Sequence, residues 1–317
     1  MSDTPQINEN KHQTLLYYKF IAISNPDAVV AMHKIMCDEL ELKGRVLISK
    51  EGINGTVEGI KDNIDKYISI MDKSDLFGGI KYKRSYTNGL TFPKMKITAR
   101  DEIVTTGLDY NEKLGPLTGV TGKYISAEEL HDLIHPSSQN QKEEFYIIDM
   151  RNDYEFKIGH FENSIMPKAF QNFRDIPNIL SEIEHLKDKK VITVCTGGVR
   201  CEKASGFLIY HGFTNVYQLQ DGIVTYMEKY PNEDFVGKLY VFDKRLAIGF
   251  NLDDVAHKII GRCDLCGVEC EKIVDYYYDP SRVYAPVLPV ADKTKLGKRS
   301  HGIVCDKCLL LPTVVLD

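Results

Sequence analysis

No stretch of the sequence is apolar for 18 residues, and the polar start MSDTPQINENKH holds no hydrophobic segment of signal-peptide type. Neither a membrane span nor a secretory leader is expected, and the cytoplasm is the expected compartment. Positive charge is not in excess either: 40 Lys and Arg against 45 Asp and Glu leave a net charge of −5 and a pI of about 6.0. That excludes a uniformly basic surface for coating nucleic acid and leaves room only for a local basic patch. There is no internal repeat and no long low-complexity tract. No dinucleotide-binding glycine fingerprint and no two-histidine, one-carboxylate set is visible.

What is present is enough hydrophobic sequence, 43% of 317 residues, for cores in two or three domains rather than one. Behind a polar tail at 1–13, Thr14 to Ile23 reads as a strand, and Asn25-Pro26 opens a helix with Val29, Met32, Met36 and Leu40 at helical spacing. Gly44 to Ser49 and Gly55 to Glu58 read as strands joined by a turn over Lys50 to Asn54, because Asn54-Gly55 tolerates positive φ. A helix over Ile60 to Met71 and strands at Ile80 to Tyr86 and Lys94 to Ile97 complete a βαββαβ order. This predicts a ferredoxin-like or acylphosphatase-like domain over 14–105. Residues 106–122 hold Gly107, Gly115, Pro116 and Gly119 without periodicity and read as a linker.

Over 123–234 short apolar strands alternate with helices. Ser126 and Glu129 form a capping-box pattern, Phe145 to Asp149, Val191 to Val194 and Val216 to Leu219 read as buried strands, and helices are expected over Ile176 to Leu186 and from Cys195 to Tyr210. Such alternation predicts a parallel α/β sheet with its site at the carboxyl ends of the strands. Residues 235–317 form a small cysteine-rich region. Eight cysteines in a chain with no expected leader read as free thiols, catalytic groups or metal ligands rather than disulfides. Cys263 with Cys266 and Cys305 with Cys308 are two CxxC knuckles that together can close a four-thiolate structural zinc site. The 38 residues between the knuckles exceed the ~15–20 of a common zinc ribbon, and Cys270 is an extra candidate ligand, so unmetallated thiols remain the alternative.

The segment Cys195-Thr196-Gly197-Gly198-Val199-Arg200 follows a buried strand and precedes a helix. A thiol of ordinary pKa ~8.5 becomes a nucleophile at neutral pH only where positive potential acidifies it. Loop amides and a helix N-terminus can supply that potential, Gly197 and Gly198 let the backbone curl, and Arg200 adds a fixed cation. The same cradle suits the anionic outer sulfur of a persulfide. Cys201 on the first turn either resolves such a persulfide or is a packed helix cysteine, while His160 and His211 read as structural. Lys81, Lys83, Arg84, Lys94 and Lys96, and the run from Lys293 to His301 with Lys298 and Arg299, are either phosphate contacts or solvated faces. Tyr276 to Tyr278 are candidates for base stacking.

Asp149-Met150-Arg151, Glu155, Gly159-His160-Phe161, Ile165-Met166-Pro167, the run CTGGVRCEKASGFLIYHGF and Gln220-Asp221-Gly222-Ile223 resemble the rhodanese family over roughly 123–231. The resemblance implies a persulfide-forming Cys195, an anion cradle from Thr196 to Arg200, and an Asp149 and Arg151 pair that orders the site. The related dual-specificity phosphatases have one more residue between Cys and Arg; only four intervene here, which favours sulfur over phosphate. With GRVLISKEGINGTVEG before this module and the cysteine-rich region after it, residues 14–310 resemble the rhodanese-domain tRNA uridine hydroxylases. That likeness implies 5-hydroxylation of the wobble uridine, position 34, in the anticodon stem-loop of tRNA. It also implies an essential Cys195, molecular oxygen as co-substrate and an unspecified electron donor. The chain departs from its relatives at Gln220-Asp221-Gly222, where a Gly-Gly pair is more usual, and in a cysteine-poorer C-terminal region. A thiosulfate or persulfide sulfurtransferase is the second reading, and a non-catalytic tRNA-binding protein the third.

Overall fold

Alternation along the first strands decides how the N-terminal domain is built. In β1 (His12–Phe20) Leu15 and Tyr17 are fully buried on one face, and Leu16 and Tyr18 stand on the other. β2 (Lys43–Ser49) and β3 (Gly52–Ile60) repeat the pattern, with Val46, Ile48, Ile53 and Val57 on the inner face. That face packs against α1 (Pro26–Glu39) and α2 (Lys61–Asp72) in one hydrophobic core. The computed structural model describes residues 12–89, 91–108, 115–137, 143–278, 299–311 and 314–316. β4 (Lys83–Thr87) and β5 (Met95–Ala99) complete a sheet of order β4-β1-β3-β2-β5, antiparallel except where β5 runs parallel to β2. The expected ferredoxin-like arrangement is present, with a fifth strand added at the β2 edge.

The first hairpin differs from its sequence expectation. β2 and β3 are joined by Lys50 and Glu51 alone, and Asn54-Gly55 lies inside β3, opposite Tyr18 and Tyr17. Gly55 is there for close approach rather than for a turn: a Cβ on it would stand 2.5 Å from the Tyr17 hydroxyl, which hydrogen-bonds Tyr67 in the core.

The second domain runs through β6 (Lys123–Ile125), α3 (Ala127–Ile134), β7 (Phe145–Asp149), α4 (Asp153–Ile158), β8 (Gly159–Phe161), α5 (Leu180–Ile183), β9 (Lys190–Val194), α6 (Val199–Tyr210), β10 (Asn215–Leu219) and α7 (Gly222–Lys229). β6-β10-β9-β7 form the expected parallel sheet, with hydrophobic clusters on both faces. The capping box starts α3 as anticipated: Ser126 Oγ accepts from Glu129 N at 3.1 Å and Glu129 Oε2 accepts from Ser126 N at 2.7 Å, an arrangement contributing about 1 kcal/mol. The expected helix at Ile176 to Leu186 is a 3-10 segment that contains Pro177, the single turn α5 and a second 3-10 turn. Its apolar spacing still holds, and Ile176, Ile179, Ile183 and Leu186 are all buried.

The C-terminal region adds β11 (Phe235–Gly237), paired with β8, the short hairpin β12 (Leu239–Tyr240) and β13 (Ala247–Ile248), and a three-stranded sheet. The last contains β14 (Ile273–Tyr278), β15 (Arg299–Ile303) and, after the turn α8 (Asp306–Leu309), β16 (Val314–Leu316). Tyr276 is buried in this sheet, so it does not present the stacking face anticipated for it. Lys293, Lys295 and Lys298 lie outside the described residues.

Two consecutive residues of α6 fasten the first domain to the second. Glu202 accepts from Tyr18 Oη at 3.0 Å and from Tyr124 Oη at 2.7 Å. Lys203 reaches Glu102 at 2.6 Å and Glu51 at 2.9 Å and donates to the Val104 carbonyl at 3.1 Å. Both are almost fully buried, so the outer face of the β1-β3-β2 sheet is held against the carboxyl end of β9.

Candidate active site between the first two domains

Cys195 leaves the end of β9 and is fully buried. The Gly198 amide donates to its sulfur at 3.2 Å, which requires the left-handed φ of +100° that Gly198 adopts. Amides from the start of α7 hold the loop from the other side, Ile223 N to Cys195 O at 2.9 Å and Val224 N to Thr196 O at 3.1 Å. Gly222, with φ +77°, permits that approach, since a Cβ there would stand 2.6 Å from the Thr196 carbonyl. The Asp221-Gly222 sequence therefore serves the contact that a Gly-Gly pair would.

Burial pushes the Cys195 thiol up. The hydrogen bond from the Cys201 thiol, the charge of Arg200 and the amides of Cys201 and Arg200 more than offset this and bring Cys195 down to about 6. Cys201 moves the other way, raised well above the ordinary thiol range by burial and by the neighbouring Cys195. The two thiols therefore shift in opposite directions, Cys195 toward the thiolate and Cys201 toward the neutral thiol. The eight cysteines form no disulfide.

Arg200 is fixed by a residue not singled out among the candidate site residues. Its Nη1 donates to Glu155 Oε2 at 2.7 Å and its Nη2 to Glu155 Oε1 at 2.9 Å, with Thr196 Oγ1 3.2 Å from Nη2. Glu155 is fully buried, and although burial raises its carboxyl, Arg200 and Arg151 hold it below the usual carboxylate range. The signal for it is the capping-box spacing Asn152-x-x-Glu155, whose carboxylate accepts from the Asn152 amide at 3.0 Å. Asp149 and Arg151 pair with each other. Arg151 Nη2 lies 2.6 Å from Asp149 Oδ2 and 2.6 Å from the Gly159 carbonyl, and both side chains are fully buried beneath the loop.

Cys195 opens into a cavity of about 280 Å³. Thr196, Gly197, Val199 and Arg200 form its floor, and Leu16, Tyr18, Arg45, Leu47, Asn54 and Thr56 from the outer face of the first sheet form its roof. Ile103 to Thr105, Phe173 and Phe242 close the sides. A Cβ on Gly197 would come within 2.8 Å of Leu16, and one on Gly198 within 2.9 Å of the Tyr18 hydroxyl, so the roof rests directly on the loop. Phe242 is half exposed, with the Arg200 guanidinium 5.8 Å from its ring centroid. Arg45 is exposed at the edge of the same cavity.

Three of the first domain's candidate cations have carboxylate neighbours, while Lys94 and Lys96 are exposed. Arg84 is paired with Asp65 at 2.8 Å, Lys83 with Asp221 at 3.3 Å, and Lys81 stands 4.0 Å from Asp221. Burial lowers Lys83, opposed by Asp221 and by the charge of Cys195. Lys81 and Lys83 thus face Asp221 across the domain join, while Arg84 pairs within its own domain. Arg299 opens β15, and Lys298 is outside the described residues.

Cys263, Cys266, Cys305 and Cys308 converge, with all four sulfurs within 4.8 Å of one another and Cys266 and Cys305 at 3.7 Å. The cluster can hold a metal ion, and Cys270 is not part of it. Burial pushes the Cys263 thiol up, but the amides of Cys305, Leu265 and Cys266 bring it down to about 6, which favours the thiolate a metal requires.

The parallel sheet, the loop after β9 and the thiolate it cradles define a rhodanese-type domain, and the Rhodanese-like domain model matches residues 126–229. The UPF0176 acylphosphatase like domain matches 12–103, and the Rhodanase C-terminal model matches 236–278. A tRNA uridine(34) hydroxylase of Bacillus cytotoxicus is 41% identical over 267 residues, 83% of this chain and 79% of its own length. One from Bacillus thuringiensis is 40% identical over 83% and 80%. The solved rhodanese-like domain of the Anabaena sp. Alr3790 protein aligns with a TM-score of 0.30 and 18% identity over 37% of this chain and 80% of that one. The chain belongs to the tRNA uridine(34) hydroxylase family.

Proposed function

We propose that the chain hydroxylates C5 of the wobble uridine of tRNA in the cavity over Cys195, with molecular oxygen as co-substrate. The observation that carries this reading is the roof. Sulfur transfer needs only the cradle, whereas here the cysteine lines a half-open cavity of about 280 Å³, just below the ~300–1,000 Å³ range of small-molecule sites. Its walls combine apolar surface from Leu16, Leu47, Phe173 and Phe242 with polar groups from Asn54 and Thr56. That composition suits a pyrimidine ring splayed out of the anticodon loop, with Phe242 as a stacking face and Arg45 as a phosphate contact at the mouth.

Cys195, as thiolate or persulfide, adds to C6 of the uracil, and the electron pair displaced to C5 makes that carbon the site of attack on oxygen. One oxygen atom stays on C5; the other leaves as water with two electrons and two protons from an external donor. Loss of the C5 proton then expels the sulfur. Arg200 and the Gly198 amide hold the sulfur anionic at the start and end of this cycle. Glu155, Asp149 and Arg151 act through position, fixing Arg200 and the end of β7. A tRNA substrate supports a cytoplasmic location. Among the described residues no helix is long and apolar enough to cross a membrane.

We assign the four-cysteine cluster to structural zinc. Zn–S bonds of ~2.3 Å in a tetrahedron put sulfurs roughly 3.8 Å apart, close to the 3.7 Å between Cys266 and Cys305. Four thiolates leave no open position for catalysis. The cradle equally suits a sulfurtransferase, and isotopes separate the two readings. In cells supplied with ¹⁸O₂, the 5-hydroxyuridine-derived nucleosides made by this chain should gain one heavy oxygen. Unlabelled product would defeat the oxygen reading, and no product beside thiosulfate sulfurtransferase turnover would favour sulfur transfer.

A further inference from the structure

A second cluster of ligand-type side chains lies outside the Cys195 cavity, beyond the C-terminal end of α7. His131, in the last turn of α3, and His135, its cap, are four residues apart and project from one face. Glu233 and Asp234 follow α7 in the loop before β11. His131 Nε2 lies 2.7 Å from Glu233 Oε2, His135 Nε2 lies 2.8 Å from Asp234 Oδ1, and one ligand atom from each of the four lies within 4.8 Å of every other. We propose that these residues form a divalent transition-metal site of two imidazoles and two carboxylates, tying α3 to the loop after α7.

Three observations support it beyond proximity. Neither carboxylate has a Lys or Arg ion-pair partner among the described residues, so two adjacent negative groups converge on histidines alone. The ligands are oriented from outside, as metal ligands are: the His131 ring stacks on Tyr230 at 3.9 Å and 7°, and the Tyr226 hydroxyl donates to Asp234 Oδ2, leaving Oδ1 toward the histidines. The side chains also grade from nearly closed to open, Asp234 at 10% and His131 at 21% exposed against Glu233 at 47% and His135 at 52%. An ion can therefore enter, and water can complete its shell.

Imidazole with carboxylate suits Zn²⁺, Co²⁺, Ni²⁺ or Fe²⁺, a preference unlike that of the four-thiolate cluster. Metal–ligand bonds of ~2.0–2.2 Å need only small shifts of exposed side chains from the present separations. The site does not line the Cys195 cavity, but α7 links the two, because its first amides hold the Cys195 loop. Its role is a clamp on α7 rather than a reaction centre, and it stands independently of the hydroxylase reading.

The test is a Co²⁺ titration of the full-length protein as purified, followed by calorimetry and visible absorption. One equivalent should bind with ligand-field bands and no thiolate charge-transfer band, and the melting temperature should rise with Co²⁺. Glu233→Gln, a surface change that spares the fold, should weaken binding at least about tenfold, and His131→Ala with His135→Ala should abolish it. With the cysteine cluster filled beforehand by Zn²⁺, no binding at millimolar Co²⁺ or unchanged titrations of both variants would overturn the site.

Discussion

The Tyr18 hydroxyl donates to Glu202 Oε1 at 3.0 Å, tying the first strand of the N-terminal domain to the helix that follows the reactive cysteine. Burial and the Glu202 charge keep the Tyr18 phenol far above its ordinary pKa, so it remains a neutral donor at every working pH. Tyr18→Phe removes one hydrogen bond to a charged acceptor and should cost about 1.5–3 kcal/mol. Lys203→Met should cost more, about 3 kcal/mol or above, because it leaves Glu51 and Glu102 facing each other without their cation. Denaturant unfolding measures both. If the roof shapes the uridine site, Tyr18→Phe will also lower tRNA hydroxylation while the Cys195 pKa moves little.

The cysteine makes a prediction about pH. With Cys195 brought down to about 6, its thiolate absorbance, taken as wild type minus Cys195→Ser, should titrate near that pH. Arg200→Met should move the midpoint upward. Because the folded-state value is depressed, the thiolate's contribution to stability is complete above the unfolded thiol's ~8.5 and is lost as pH falls through about 6. The stability difference between wild type and Cys195→Ser should therefore be larger at pH 8 than at pH 5. A midpoint near 8.5 would remove the acidified thiolate from the mechanism.

Gly198→Ala tests the cradle. The residue sits at φ +100°, and an added Cβ would stand 2.9 Å from the Tyr18 hydroxyl. We expect about 1–3 kcal/mol of destabilisation together with a higher Cys195 pKa, since the amide that meets the sulfur must move. A fully stable variant with an unchanged thiolate titration would show that neither strain nor that amide matters.

If the cysteine cluster holds zinc as proposed, chelation should unfold the C-terminal sheet locally. β14 and α8 pack around the four sulfurs in a small core with Val274, Tyr276, Val304 and Val314, so little apolar surface that bound metal would carry much of its stability. After chelation, hydrogen exchange should accelerate in Ile273 to Tyr278 and Arg299 to Ile303 while Lys190 to Val194 stays protected. Equal protection with and without chelator would make the cluster a set of ordinary thiols.

The parts of this protein legible in its sequence are those whose requirements are local. An acidified thiol needs a strand, a turn of small residues and a helix start, all within Cys195 to Arg200, and the capping box at Ser126 likewise needs only four residues. What escaped is decided between distant segments. Asn54-Gly55 resembles a hairpin turn because the residue that demands the glycine, Tyr17, lies on a neighbouring strand. The apolar spacing from Ile176 to Leu186 was correct, although the segment is largely 3-10. Glu155 meets Arg200 only because α4 and α6 start at neighbouring strand ends. The roof did leave a trace: TLLYYKFIAI is apolar at successive positions, which means burial on both faces rather than one. His131 and His135 found their carboxylates about a hundred residues away, a pairing that no local pattern carries.

The most direct test is made in tRNA. Bulk tRNA from a strain lacking the gene, with re-expressed wild type or Cys195→Ser at matched protein levels, should be digested and its 5-hydroxyuridine-derived nucleosides quantified by mass spectrometry. The account predicts that these nucleosides vanish in the deletion, return with wild type and stay absent with Cys195→Ser; their restoration by Cys195→Ser would contradict it.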